Sequence, residues 1–180
     1  MGINQMIENF FQKVLTLKTI HRQGWKENLQ IDYPESVADH SYSVSAMSMI
    51  LSDLEGLNTE KIIKMAVLHD LAESIIGDIT PGNITNDEKI AKEDHAMKKI
   101  LSDLPDKITE QYLEIWNEYQ NNSSQESNLL HDIDKLEMVF QAKFYQEKGI
   151  PKEKLATFYD TAKMEIKNKN LCNILSNIIE

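Results

Sequence analysis

The chain has 180 residues, enough for one packed domain and too few to expect two, and its 41% hydrophobic and 27% charged content is that of a soluble globular protein. A formal net charge of -10 excludes a nucleic-acid groove driven by bulk charge, because neutralising many phosphates needs clustered Lys and Arg, whereas a small substrate with one phosphate needs only a local cation. The one cysteine, Cys172, excludes a disulfide framework and a Cys-based zinc site, and fits a cytoplasmic protein.

Read in chain order, the apolar residues return every three or four positions, which predicts helices throughout and an all-α fold. Ile3, Ile7, Phe10, Val14 and Leu17 form the first stripe, and Asn4, Gln5, Glu8, Asn9 and Lys13 interrupt any run that could act as a signal peptide or membrane span. Residues 20–36 then break the pattern and hold His21, Arg22, Gly24, Trp25 and Pro34. A long connection in a compact helical domain is often functional, although a Trp25 that plugs the edge of the core is an equal reading. Val44, Met47, Ile50, Leu51 and Leu54 mark the next helix, and Ile62, Ala66, His69 and Glu73 share a face on the one after it. Ile90, Met97 and Leu101 follow, then Ile108, Tyr112, Ile115, Trp116 and Tyr119. The pattern continues with Leu129, Leu130, Ile133, Leu136, Glu137, Phe140 and Phe144, and closes with Leu155, Phe158, Tyr159, Ala162 and Ile166. That makes seven or eight helices in a single domain over residues 1–180, with loops at 20–36, 77–86, 120–124 and 149–151. Thr85 with Glu88 and Ser123 with Glu126 have the spacing of capping boxes, and Pro105 and Pro151 suit first-turn positions.

The chemistry lies in Met65-Ala-Val-Leu-His-Asp-Leu-Ala-Glu-Ser-Ile-Ile-Gly-Asp-Ile. Polar side chains in so apolar a helix are costly unless they are paired or bound to a metal. His69, Asp70 and Glu73 can project to one side within a turn. His40, at the start of its helix, and Asp134, in phase with Leu130 and Met138, are the candidate partners; His131 and Asp132 compete with Asp134, and periodicity does not choose between them. Two His and two Asp from three helices suit a first-row divalent ion with positions left open. The unremarkable alternatives are a hydrogen-bonded core histidine and a Glu73 paired with a lysine.

His40, His69-Asp70 and Asp134 resemble the H…HD…D pattern of the HD-domain metal-dependent phosphohydrolases. "ESVADHSY", "LHDLAESIIGDITP" and "DIDKLEM" are similar more narrowly to the 5′-deoxynucleotidase branch, over roughly residues 10–145. The resemblance selects Asp134 over Asp132. It also separates the chain from ppGpp hydrolases with HDxxED, since Ser74 follows Glu73, and from cyclic dinucleotide phosphodiesterases with HDIGK and extra histidines, which implies one metal ion.

That family implies hydrolysis of deoxyribonucleoside 5′-monophosphates with one divalent ion per chain, Co, Mn or another first-row ion, with Mg and Zn also compatible. His40, His69, Asp70 and Asp134 are then the ligands. Glu73, one turn beyond His69, orients or deprotonates the attacking water, and Asp78 handles water or the leaving oxygen. Arg22 offers a planar fork to phosphate, Trp25 a ring to the nucleoside, and the Thr80-Pro81 turn a further wall. In bacterial members the arginine and tryptophan are adjacent; here Gln23-Gly24 separates them. A homodimer is expected, with neither nucleic acid nor membrane as partner. Two alternatives stay open: hydrolysis of another small nucleotide or a pyrophosphate, and a non-catalytic interaction protein that the ion merely stabilises.

Overall fold

The structure, a computed structural model, describes residues 2–80 and 82–179; Met1, Pro81 and Glu180 lie outside it. The described residues form ten α-helical segments and no strand: α1 (Ile3–Thr16), α2 (Gln23–Leu29), α3 (Val37–Glu55), α4 (Thr59–Leu68), α5 (Glu73–Ile76), α6 (Asn86–Leu101), α7 (Asp106–Gln120), α8 (Gln125–Glu147), α9 (Lys152–Glu165) and α10 (Lys169–Ile179). The all-α expectation holds. Eight of the ten are at least ten residues long, in line with seven or eight periodic stripes, and the other two are the short α2 and α5.

α2 occupies residues assigned to a loop. Seven residues make too few turns to display periodicity, and Gly24 is a weak helix former. The helix is held from outside: the Gln23 backbone N–H donates to Asp78 Oδ2 at 2.5 Å, and Thr80 Oγ1 donates to Glu27 Oε2 at 2.9 Å.

α8 is the hub. It packs against α3, α4, α9 and α10, and buries Leu129, Leu130, Ile133, Leu136 and Val139. Its start is capped by Ser124 with Ser127, one residue later than the expected Ser123 and Glu126, because either serine can cap and Glu126 is used elsewhere. There it accepts from the Asn58 N–H at 3.2 Å and pairs with Lys61 at 2.8 Å. The Thr85–Glu88 box is present on α6. Pro105 and Pro151 sit at the N-cap, one position before the first turn.

α3 turns a different face inward from the one its large apolar residues suggest. Val37, His40, Val44, Ser48 and Ser52 are buried, whereas Ile50 and Leu54 are exposed. Ser48 and Ser52, at i+4 and i+8 from Val44, are small enough to let α4 and α8 approach closely, and Ser52 Oγ is satisfied through Met49 O and Thr59 Oγ1. α1 likewise stays peripheral. Ile3 and Val14 of its stripe are exposed, and only Leu17, in the 3-10 turn after the helix, is fully buried.

Candidate metal centre

Three local features bring the polar groups of the buried segments together. A capping box between Ser36 and Asp39 starts α3, with Asp39 Oδ2 accepting from Ser36 N at 2.9 Å, so His40 falls in the first helical turn with its ring fully buried. The helix expected to run through His69-Asp70-Leu-Ala-Glu73 stops instead at Leu68. His69 Nδ1 takes the Ala66 carbonyl at 2.6 Å, the acceptor that an unbroken helix offers to the Asp70 N–H. The chain tightens into i→i−3 turns, Leu71 N to Leu68 O and Glu73 N to Asp70 O, before α5 resumes. α8 supplies Asp134 from the face of Leu130 and Ile133.

His40, His69 and Asp134 bring ligand atoms within 4.8 Å of one another, and Asp70 joins them on the side of the two histidines. His40 Nε2 lies 3.3 Å from His69 Nε2, 3.1 Å from Asp134 Oδ1 and 3.5 Å from Asp70 Oδ2, and Asp70 Oδ2 is 3.2 Å from His69 Nε2. Such spacings suit donors sharing one first-row ion at about 2.1 Å, and two nitrogens with two carboxylates are a donor set that such an ion accepts. The residues therefore fit a metal. The imidazoles are sealed in the core, while the Asp70 and Asp134 side chains keep 17% and 16% exposure, so the carboxylate side opens to solvent.

The electrostatics depend on mutual neutralisation. Burial works to raise the Asp134 carboxyl, but Lys135, His40 and Arg22 together hold it well below the ordinary range. Asp70 is likewise held low against its burial by His69, His40 and Arg22. Burial and Arg22 disfavour the His40 imidazolium, yet hydrogen bonds to Asp134 and Glu137 win and raise it to about 9.

Around this cluster the other expected residues divide. Arg22 reaches it, with Nη1 3.4 Å from Asp70 Oδ2. Glu73 is buried, its Oε2 has no hydrogen-bond partner, and burial with Asp70 and Asp78 raises its carboxyl well above the usual value. Asp78 accepts from the Gln23 N–H, which fixes the start of α2 just after Arg22. Thr80 is engaged with Glu27 and accepts from Asn83 Nδ2 at 2.7 Å; Pro81 lies outside the described residues.

Trp25 is not brought to the cluster. Helix α2 turns it into the core, 2% exposed, stacked on Phe158 at 4.2 Å and edge-on to Tyr145. The plug reading describes its position, and no ring face is free for a base in this conformation. Its Nε1–H donates to Glu35 Oε1 at 2.7 Å, and that oxygen lies 4.0 Å from Arg22 Nε. His131 and Asp132, the rivals of Asp134, are used elsewhere. His131 stacks on Tyr119 and donates to its carbonyl at 3.1 Å. Asp132 accepts from the Lys167 and Asn168 N–H groups, at 3.1 and 2.7 Å, and so caps the entry to α10.

Reading the sequence for ligands missed Glu35, Lys135 and Glu137. Glu137 Oε2 is 2.7 Å from His40 Nδ1, and Lys135 Nζ is 3.2 Å from Asp134 Oδ2. For Glu137 a signal existed: a carboxylate in the apolar stripe of α8, the same anomaly that singled out Glu73.

A family model described as HD domain matches residues 14–173. The mouse protein named 5′-deoxynucleotidase HDDC2 is 35% identical over 170 residues, covering 94% of this chain and 84% of the relative. The 5′-deoxynucleotidase hdd1 of Schizosaccharomyces pombe is 38% identical over 154 residues, 83% of this chain and 77% of the relative. The crystal structure of the PH0347 protein from Pyrococcus horikoshii OT3 superposes with a TM-score of 0.79 at 34% identity, covering 96% of this chain and 98% of that one. The chain thus belongs to the HD-domain family, in the branch of the 5′-deoxynucleotidases.

Proposed function

We propose that this protein is a metal-dependent phosphomonoesterase that converts deoxyribonucleoside 5′-monophosphates to deoxynucleoside and phosphate, with the whole chain acting as one HD domain. The convergence of His40, His69, Asp70 and Asp134 carries the reading, and the names of the relatives support the substrate class. When bound there, one divalent ion, cobalt or manganese ahead of magnesium or zinc, draws charge from the phosphoryl oxygens and makes water a stronger acid.

The chain's own residues do the rest. Arg22, already turned toward the cluster, binds the phosphate through its planar fork. Glu73 takes a proton from the attacking water. Its burial and its unpartnered Oε2 beside the cluster suit a group that takes up the water's proton. As the water oxygen bonds to phosphorus, the bond from phosphorus to the 5′-oxygen breaks, and that oxygen receives a proton from Glu73 or Asp78. Trp25 acts from beneath through Glu35 and Arg22, and Thr80 through its hold on α2.

Phosphate release from a panel of nucleoside monophosphates, with Mn, Co, Mg and Zn supplied separately, tests the proposal. Release from deoxyribonucleoside 5′-monophosphates is the expected result. Pyrophosphate release, or preference for another small phosphoester, selects the alternative hydrolase. A tightly held ion with no turnover selects the stabilised interaction protein, against which the exposure of Asp70 and Asp134 argues. The reading also includes a cytoplasmic homodimer. No helix among the described residues is long and apolar enough to cross a membrane, and exposed Met49, Ile50 and Leu54 on α3 offer a face to a second copy.

A further inference from the structure

The two imidazoles at the centre have their outer nitrogens fixed by different means. His69 Nδ1 meets the Ala66 carbonyl, an acceptor that its own helix provides three residues back. His40 stands in the first turn of α3, where its outer nitrogen faces another element altogether. There it meets Glu137, on α8 and 97 residues away in sequence, at 2.7 Å. Glu137 is 3% exposed and lies among Leu136, Ile133 and Val139, at a position where packing alone calls for an apolar side chain. It is one turn beyond Asp134, so a single face of α8 carries a ligand and, three residues on, a group behind the neighbouring ligand. The third carboxylate nearby, Glu35, is already bonded by Trp25, and Glu137 Oε2 is occupied by His40.

We propose that Glu137 is a positioning residue for the metal centre: its carboxylate holds His40 with the proton on Nδ1 and the lone pair of Nε2 turned toward the ion. This role rests on the metal reading above. An imidazole ligates through a nitrogen without a proton, so the group that binds the other nitrogen sets tautomer, ring orientation and basicity together. A charged acceptor does this more strongly than a carbonyl. Without Glu137 the His40 ring retains space to turn, and its proton is free to move to Nε2, where it blocks the ion.

The test measures cobalt dissociation constants by chelator competition for wild type, Glu137→Gln and Glu137→Ala, each referred to the folded fraction, beside metal-free melting temperatures. Glu137→Gln keeps the shape and a neutral acceptor, and is expected to weaken cobalt binding about 10-fold; Glu137→Ala is expected to weaken it about 100-fold. A folded Glu137→Gln protein that binds cobalt as tightly as wild type overturns the role. A measurement that needs no variant stands beside it. In the zinc-loaded wild type, the His40 Nδ1 proton is expected as a slowly exchanging, far-downfield resonance, and its absence overturns the proposal as well. A wild type that takes up neither cobalt nor zinc overturns both this role and the metal reading, whereas tight wild-type uptake with an indifferent Glu137 overturns this role alone.

Discussion

At the scale of single residues, the proposed function gives the holding of an ion and its use to different side chains. His69→Ala and Asp70→Ala each remove a proposed donor from the 3.1–3.5 Å cluster and are expected to abolish metal retention, by elemental analysis after desalting, together with turnover. Glu73→Gln leaves the four donors in place, so it is expected to keep the metal and to lose about 10²–10⁴-fold in turnover. An active, metal-free Asp70→Ala protein contradicts the scheme. Glu35 has a stability consequence. Burial first, and the neighbouring Glu137 charge second, raise its carboxyl to about 7, against a lowering pull from Arg22. The folded state therefore holds this proton more tightly than the unfolded chain, for which 4.5 applies. Its contribution to stability is full below pH 4.5 and is lost as pH rises toward 7. Urea midpoints of the metal-free protein across that window are expected to fall more steeply for wild type than for Glu35→Gln, and parallel curves rule the assignment out. His69, Asp70 and Glu73 were legible as candidates because three polar groups in an apolar helix violate its pattern. Glu35 was not, because it lies in the connection before α3, outside any apolar helical stripe, and only the fold buries its side chain.

At the scale of elements, Asp132 and Asp134 show how two residues of one helix serve different ends. Side chains two positions apart on an α-helix diverge by about 200°. Asp134 turns to the histidines, while Asp132 turns to the start of α10 and accepts the Lys167 and Asn168 N–H groups. Asp132→Ala is expected to cost about 1–3 kcal/mol of stability in urea unfolding. Cobalt affinity should not change, and a variant that loses the metal while folded reverses the assignment. The interruption between α4 and α5 belongs to this scale too. Periodicity predicts one helix through His69 and Glu73 because their apolar flanks do not stop, whereas a histidine that takes up a backbone carbonyl of its own helix is invisible to periodicity.

At the scale of the whole molecule, α3 is turned so that small serines face the core and Met49, Ile50 and Leu54 face outward. Burial of such a face against a second copy is the expected use. Ile50→Glu with Leu54→Glu should then move sedimentation from dimer to monomer without loss of metal, and a wild type that sediments as a monomer ends the idea. Sequence by itself determined the all-α class and marked His40, His69, Asp70 and Asp134, with His131 and Asp132 as rivals, as candidates, because helical period and polar groups in apolar stripes are local properties of the chain. Only the tertiary structure decided that Trp25 supports from within, that α2 is a helix held by Asp78 and Thr80, and that Glu137 stands behind His40. Each of these depends on groups many tens of residues apart meeting in space, and chain order carries no distance between them until the helices pack.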